Sequence, residues 1–237
     1  MKTIDYVYRF DPNNPSVKPP PPDHEAARKV LEDGNRMFSQ WMESCRTSSF
    51  STGEPRYVIQ CNGLEVGMNR AVGAMPKQAP FAVVVGCSDA RVPTEMLFGQ
   101  GFNDLFVIRV AGNVLGDECQ GSIDFALGAL SESVKVLVVL GHSGCGAVKA
   151  AKQHIDSKDS LPGAINGLVE LIKPAVAQSK GAPGDPLENA IRKNVEISVE
   201  RLQGLQPILA PRVTQGKLKV VGAIYDLRTG IVTPVAS

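Results

Sequence analysis

Four runs of apolar, largely β-branched residues are the feature that most restricts the fold of this chain. They read FAVVVG from Phe81, LFVIRV from Leu105, VKVLVVLG from Val134 and LKVVGAIYDL from Leu218. Each has the length of a strand and few polar residues, which is typical of strands buried on both faces of a parallel sheet. Helical patterns lie between and after the first runs, at 121–133, 145–155, 163–179 and 185–203. We therefore predict an α/β fold with a mostly parallel central sheet flanked by helices.

The amino-terminal segment differs in composition from the rest of the chain. Residues 11–23 contain six prolines, and so many prolines exclude a helix or a central strand. The prediction is an extended, Pro-rich arm over residues 1–23, followed by a single α/β domain over residues 24–237.

The region between the arm and the first apolar run carries weaker signals. From His24 to Met42, apolar residues recur at near-helical spacing, although Gly34 could divide this helix in two. Residues 45–80 are rich in Ser, Gly and Pro and receive no firm assignment beyond a loop with one short helix.

Charge and cysteine content limit the partners and the compartment. Lys and Arg number 25 against 24 Asp and Glu, a formal net charge of +1, so no basic field exists to attract nucleic acid or an anionic membrane. No apolar run approaches the roughly 18 residues of a membrane span, and residues 1–22 lack the apolar core of a signal peptide.

The five cysteines are odd in number and widely spaced, which favours reduced thiols. The expected location is the cytoplasm, with a bacterial microcompartment as one option within it.

Two glycine-flanked motifs follow the first and third apolar runs. They are GCSDAR at 86–91 and GHSGCG at 141–146. Ligands of open α/β sheets bind outside the carboxyl ends of the strands, so neighbouring strands would bring Cys87, His142 and Cys145 together. Two thiolates and one imidazole are a donor set suited to zinc, and three protein ligands leave a fourth position open.

The residues Asp89 and Arg91 indicate what the open position is for. The fourth ligand would be water or Asp89. The planar guanidinium of Arg91 can hold the Asp89 carboxylate bidentately and keep it ionised. Such a carboxylate beside zinc can accept a hydrogen bond from zinc-bound hydroxide, and zinc lowers the pKa of bound water to about 7. The pattern therefore favours a catalytic rather than a structural site.

These motifs resemble those of the β-class carbonic anhydrases. CSDARVPTE is followed by GHSGCGAV, with His142 55 positions after Cys87, and the resemblance extends over roughly residues 27–225. It implies that Cys87, His142 and Cys145 bind Zn²⁺ and that Asp89 and Arg91 are the catalytic pair. The implied activity is that of a zinc lyase, the reversible hydration of carbon dioxide to bicarbonate and a proton by zinc-bound hydroxide.

The resemblance also implies an assembly. Members of this family are obligate dimers whose amino-terminal helices embrace the neighbouring subunit, so we expect a homodimer or a dimer of dimers. The apolar face around Val30, Phe38 and Trp41 would then pack on the dimer partner.

Two further expectations concern the pocket. Because carbon dioxide is small and apolar, a narrow apolar pocket is expected; its candidate lining residues are Val92, Phe106, Val110 and Gly112. Some family members rest in a closed form, with the Asp on zinc, and bind inhibitory bicarbonate through a Trp, an Arg and a Tyr. Arg109 and Tyr225 resemble the last two, but Val84 stands at the Trp position. We therefore expect an open resting site.

Two alternative functions stay open at this stage. A hydrolase of carbon disulfide or carbonyl sulfide resembles the same family, with the same ligands and the same Asp and Arg. A non-catalytic relative could instead bind zinc or bicarbonate as a sensor, or act as a scaffold through the Pro-rich arm. The complete set of ligands and catalytic residues favours the enzyme.

Overall fold

The computed structural model describes residues 5–11, 19–47, 56–61, 75–157 and 161–235. The strands are β1 (Asp5–Arg9), β2 (Arg56–Gln60), β3 (Ala82–Gly86), β4 (Leu105–Arg109), β5 (Val136–His142), β6 (Lys219–Tyr225) and β7 (Val232–Val235). The α-helices are α1 (His24–Thr47), α2 (Thr94–Leu97), α3 (Asp117–Ala129), α4 (Gly146–Ser157), α5 (Ile165–Gln178), α6 (Pro186–Gln203) and α7 (Leu209–Thr214). A 3₁₀ turn spans Ala111–Asn113. None of the described helices combines the length and the apolarity that crossing a bilayer requires.

The main sheet confirms the predicted fold class. Its strand order is β4-β3-β5-β6-β7, in which the first four strands are parallel and β7 is antiparallel to β6. Every residue of β3 and β5 is buried, because helices cover both faces. On one face Val83 and Val85 pack in a cluster with α3, α6 and α7, and on the other Val84 packs in a cluster with α1, β2 and α2.

The sequence analysis did not predict several short strands and helices that the structure contains. Strands β1 and β2 form a separate two-stranded parallel sheet, so part of the predicted arm and part of the unassigned 45–80 segment are strand. Strand β7 contains Pro234, which is tolerated there because β7 is an edge strand. The short helices α2 and α7 were also missed. The central prolines of the arm, residues 12–18, lie outside the described residues.

Helix α1 is continuous through Gly34, the residue at which the sequence left a division of the helix open. Gly34 is buried, and a Cβ at this position would overlap the carbonyl oxygen of Phe98. The glycine therefore allows α1 to approach the segment after α2 closely, which is a packing requirement rather than a helix break.

The apolar face of α1 packs on its own chain. Phe38 is 3% exposed and its ring lies near those of Tyr57 and Tyr225, while Val30 and Trp41 are partly buried against the same cluster. The face expected to need a partner subunit is thus largely covered within the chain. Packing of α1 on a dimer partner stays a prediction.

Candidate metal centre

The two motif loops leave adjacent parallel strands at the same edge of the sheet. Gly86 at the end of β3 pairs with Leu140 of β5, so Cys87 follows β3 at the level where β5 continues to His142. Gly144 then takes a left-handed conformation, with φ of 63°, and the chain turns so that Cys145 directly precedes α4. The predicted convergence of the two motifs is confirmed.

Three donor side chains meet at this edge. The ligand atoms of Cys87, His142 and Cys145 all lie within 4.8 Å of one another, and all three residues are buried. His142 Nδ1 lies 3.1 Å from the carbonyl oxygen of Ser143; because a carbonyl only accepts, Nδ1 carries the proton and Nε2 presents its lone pair. Within the described part of the chain, buried Nε2 has no hydrogen-bond partner. This orphaned nitrogen beside two thiols fits a zinc ion.

The electrostatics of the two thiols are unequal. Hydrogen bonding with Cys145 is the main cause that lowers the pKa of Cys87 to about 4, with smaller contributions from His142 and from the backbone N–H groups of Gly112 and Asp89. The same contact with Cys87, together with burial, raises the pKa of Cys145. Cys87 is therefore the thiol that ionises first, and the Cys145 proton has to leave when a metal binds.

Burial and hydrogen bonding act in opposite directions on His142. Burial lowers its pKa, but the neighbouring Cys87 sulfur and the carbonyl oxygen of Ser143 outweigh burial and raise the pKa overall. A divalent cation in the same position would compete with the proton on Nε2, because both use its lone pair. The donor set thus carries protons that a metal ion would replace.

Asp89 and Arg91 form the predicted pair at the mouth of this cluster. Arg91 Nε donates to Asp89 Oδ1 at 2.9 Å and Nη2 donates to Oδ2 at 2.7 Å, while the Arg91 backbone N–H donates to Oδ1 at 2.9 Å. These bonds hold the pKa of the Asp89 carboxyl well below its usual range. Asp89 Oδ2 also lies 3.9 Å from His142 Nε2. An ionised carboxylate is therefore fixed next to the donor cluster.

Arg109, at the end of β4, supports the same loop from the other side. Its Nε donates to the carbonyl oxygen of Cys87 at 3.1 Å and its Nη2 to that of Asp89 at 2.6 Å. In sequence, Arg109 and Tyr225 resemble two residues of the family's bicarbonate pocket, but Val84 stands at the position of its Trp. The structure shows its guanidinium bonded to backbone carbonyls of the loop that carries the first ligand and the catalytic carboxylate.

Glu188, in the first turn of α6, is a site residue that the sequence analysis missed. Its Oε1 accepts a hydrogen bond of 2.9 Å from the backbone N–H of Gly144. Helix α6 is itself capped by Asp185, whose side chain accepts from the N–H groups of Leu187 and Glu188. The loop that carries His142 and Cys145 is thereby fastened to the start of α6.

The four candidate pocket residues have different positions. Gly112 touches the site directly, since its N–H donates to Cys87 Sγ at 3.3 Å, and Val110 packs against the cluster that contains Cys87 and Cys145. Val92 is fully buried beneath the loop. Phe106 lies three residues before the end of β4, where its ring packs near Phe125, so the structure does not bring it to the site of its own chain.

The sequence of the chain is similar to those of several known proteins. The family model described as carbonic anhydrase matches residues 82–232. A carbonic anhydrase of Mycolicibacterium smegmatis is 34% identical over 205 residues, covering 86% of this chain and 90% of that protein. Carbonic anhydrase 2 of Mycobacterium tuberculosis is 32% identical, covering 86% and 89%.

Solved structures give the same relationship at the level of the fold. One of two tetrameric β-carbonic anhydrases from Sordaria macrospora superposes with a TM-score of 0.59 at 27% identity, covering 68% of this chain and 83% of that one. The Coccomyxa β-carbonic anhydrase has a TM-score of 0.58 at 22% identity, covering 86% and 84%, and supports the fold alone.

Proposed function

The chain belongs to the β-class carbonic anhydrase family, and on this premise we propose that it catalyses the reversible hydration of carbon dioxide to bicarbonate and a proton, with zinc as its cofactor. The observation that carries this proposal is the meeting of the three buried donors Cys87, His142 and Cys145 at one sheet edge. The alternatives share these donors, but the mycobacterial relatives that match most of this chain are named carbonic anhydrases.

The residues of the site divide into holding and orienting groups. Cys87, His142 and Cys145 would hold the metal, and two thiolates with a neutral imidazole balance the charge of Zn²⁺. Zinc, when bound, supplies an activated water, because it lowers the pKa of that water to about 7. Asp89 Oδ2, which lies 3.9 Å from His142 Nε2, is the oxygen that would accept a hydrogen bond from such a water.

Arg91 and the surrounding loops complete the orienting group. Arg91 binds both carboxylate oxygens of Asp89, so the carboxylate stays ionised and cannot rotate away from the water. Arg109 fixes the two backbone carbonyls of the same loop. Orienting groups that are fixed before the reaction need no reorganisation during it, which is the main source of their catalytic effect.

Substrate turnover separates this function from its alternatives. We would measure hydration of carbon dioxide and hydrolysis of carbonyl sulfide and carbon disulfide by the purified zinc-loaded protein, with Asp89→Ala as the matched variant. Carbon dioxide turnover that falls at least 100-fold in the variant is the expected result. Turnover of the sulfur compounds alone would indicate the hydrolase, and a fully zinc-loaded protein without any turnover would indicate a sensor or scaffold.

We propose further that the protein is a homodimer or a dimer of dimers. Tyr8 and Phe102 are 40% and 58% exposed, their ring centroids lie 5.2 Å apart, and among the described strands nothing pairs with the outer edge of β4. Exposed aromatic residues beside a free strand edge favour association. Sedimentation of a species at twice or four times the chain mass of 25.3 kDa is expected, and a monomer at micromolar concentration would contradict the proposal.

We also propose that the protein works in the cytoplasm or in a compartment that exchanges thiols with it. None of the five cysteines, all of which lie in the described residues, forms a disulfide, and Cys87 and Cys145 have to stay reduced to bind metal. Cell fractionation with an antibody against the protein tests this, and recovery in an oxidising, extracytoplasmic fraction would refute it.

A further inference from the structure

The peptide group of Gly112 links the first metal ligand to the interior of the protein. Its N–H donates to Cys87 Sγ at 3.3 Å, and its carbonyl oxygen accepts a hydrogen bond of 2.9 Å from the side-chain amide of Asn194. The peptide planes on either side of Gly112 are thus each fixed by one hydrogen bond, with the sulfur of a ligand at one end and a buried amide at the other.

The backbone at Gly112 has a conformation that needs such support. Its φ is 71°, in the left-handed region that favours glycine. A Cβ at this position would lie 2.8 Å from Ile172 Cδ1 and 3.1 Å from Ala147 Cβ. The chain therefore passes close to α4 and α5 in this turn, and a small rotation of the turn would move the N–H away from the sulfur.

Asn194 is placed to prevent that rotation. It lies on the buried face of α6 and is 5% exposed, in a position where its neighbours Ile191 and Val195 are apolar. A buried carboxamide is costly unless it is hydrogen-bonded. Its bond to Gly112 joins two residues that are 82 positions apart in the sequence.

We propose that Asn194 is a positioning residue of the zinc centre, which holds the Gly112 turn so that its N–H donates to the Cys87 thiolate. The inference rests on the proposed function, since it concerns the same metal site. Hydrogen bonds to a ligand sulfur draw electron density from it and fix its orientation, and loss of such outer contacts typically costs 10–100-fold in metal affinity or activity.

The test compares Asn194→Leu with Ser198→Ala. Leucine has a similar volume and cannot donate to the Gly112 carbonyl. Ser198 is a buried polar residue one turn further along α6, and its hydroxyl donates to the Asn194 backbone carbonyl rather than to the Gly112 turn. Its alanine variant therefore controls for a general loosening of the helix. Zinc affinity is measured by competition with a chelator, and the thiolate-to-metal charge-transfer band is recorded on the Co²⁺-substituted proteins.

We expect Asn194→Leu to bind zinc at least about tenfold more weakly than wild type, and its charge-transfer band to move to lower energy, because a sulfur without its hydrogen bond is a better electron donor. Ser198→Ala should change neither quantity. Equal zinc affinity and an unmoved band in Asn194→Leu would overturn the proposal, while zinc binding and activity in the wild type would leave the proposed function intact.

A second measurement does not depend on the leucine variant folding. In the ¹¹³Cd-substituted wild-type protein, the Gly112 amide proton should show scalar coupling to the metal through the hydrogen bond to Cys87 Sγ. The coupling should weaken in Asn194→Ala and persist in Ser198→Ala. Absence of the coupling in the wild type, or its full retention in Asn194→Ala, would contradict the proposal.

Discussion

At the scale of single residues, the site separates groups that hold the metal from groups that orient the reacting water. The side chains of Cys87, His142 and Cys145 point their donor atoms at a common centre. Arg91 contributes no donor atom to that centre and instead binds Asp89 through both carboxylate oxygens. Variants of the two kinds of residue should therefore fail in different ways.

Cys145→Ala and Arg91→Ala test this separation. Cys145→Ala should lose zinc and activity together, because two protein donors hold zinc far more weakly than three. Arg91→Ala should keep one zinc per chain and lose at least 10-fold in kcat, because its carboxylate is no longer fixed. Metal analysis and stopped-flow rates on the same samples give both quantities. Full zinc content in Cys145→Ala would refute the ligand assignment.

The protonation of Asp89 gives a second test at this scale. Hydrogen bonds from Arg91 stabilise the charged carboxylate and lower its pKa. The pair therefore stabilises the folded protein above the ordinary carboxyl pKa of about 4, and this contribution disappears as the pH falls through the lowered value. Carbon-13 NMR titration should find Asp89 still ionised at pH about 4 in the wild type. In Arg91→Ala its pKa should rise towards the ordinary range; an unchanged value would show that Arg91 is not the cause.

At the scale of elements, uninterrupted apolar runs decided what the sequence could predict. Strands β3, β5 and β6 carry such runs because covered strands need apolar residues. Strand β4 was predictable because Leu105 to Ile108 are all apolar, although only Ile108 of this strand is buried. Strands β1 and β2 are short and partly exposed, and β7 contains a proline, so none of the three has a distinctive pattern. Tertiary packing, rather than local preference, stabilises these elements.

Prediction of the site residues also depended on local patterns in the sequence. The three metal ligands and the Asp89–Arg91 pair were predictable because they lie at or shortly after the carboxyl ends of strands, where open α/β sheets bind their ligands. Arg109, Glu188 and Asn194 act on backbone groups that are 22, 44 and 82 residues away. A hydrogen bond to a distant carbonyl or N–H leaves no spacing pattern in the sequence. Phe106 was assigned to the pocket because it belongs to β4, but it lies near the start of that strand, whereas the site lies beyond the strand's end.

Gly34 provides a stability test of the packing of α1. In an exposed helix, replacing glycine by alanine stabilises by up to about 1 kcal/mol. At Gly34 the added Cβ would overlap the Phe98 carbonyl, so Gly34→Ala should instead destabilise by about 2 kcal/mol. Gly121 in α3 is the control, since nothing lies within 4 Å of a Cβ built there. Urea unfolding should show opposite signs for the two variants; stabilisation by Gly34→Ala would contradict the close approach.

At the scale of the whole molecule, the metal centre lies beside two large apolar clusters that contain none of its three ligands, and we expect this core to fold without the metal. Strands β3 and β5, whose carboxyl ends carry the ligands, pair with each other along their length. The two apolar clusters cover the sheet. Helix α6 contacts the loop after β5 through Glu188 and, through Asn194, the turn after β4 that bonds to Cys87. The protein thus presents a preformed site to the metal.

Removal of zinc tests this independence. Dialysis against a chelator should leave the far-ultraviolet circular dichroism unchanged and lower Tm by several degrees, since a ligand that binds only the folded state adds RT ln(1 + [L]/Kd) to its stability. Zinc added back should restore Tm. Loss of secondary structure on chelation would mean that the metal is required for the fold.

The most direct test of the central claim is stopped-flow hydration of carbon dioxide at pH about 8.5 on samples loaded with increasing zinc. We expect the rate to rise in proportion to bound zinc and to stop rising at one zinc per chain. A protein that holds one zinc per chain and does not accelerate the reaction above the buffer rate would contradict the assignment of this site as a carbonic anhydrase centre.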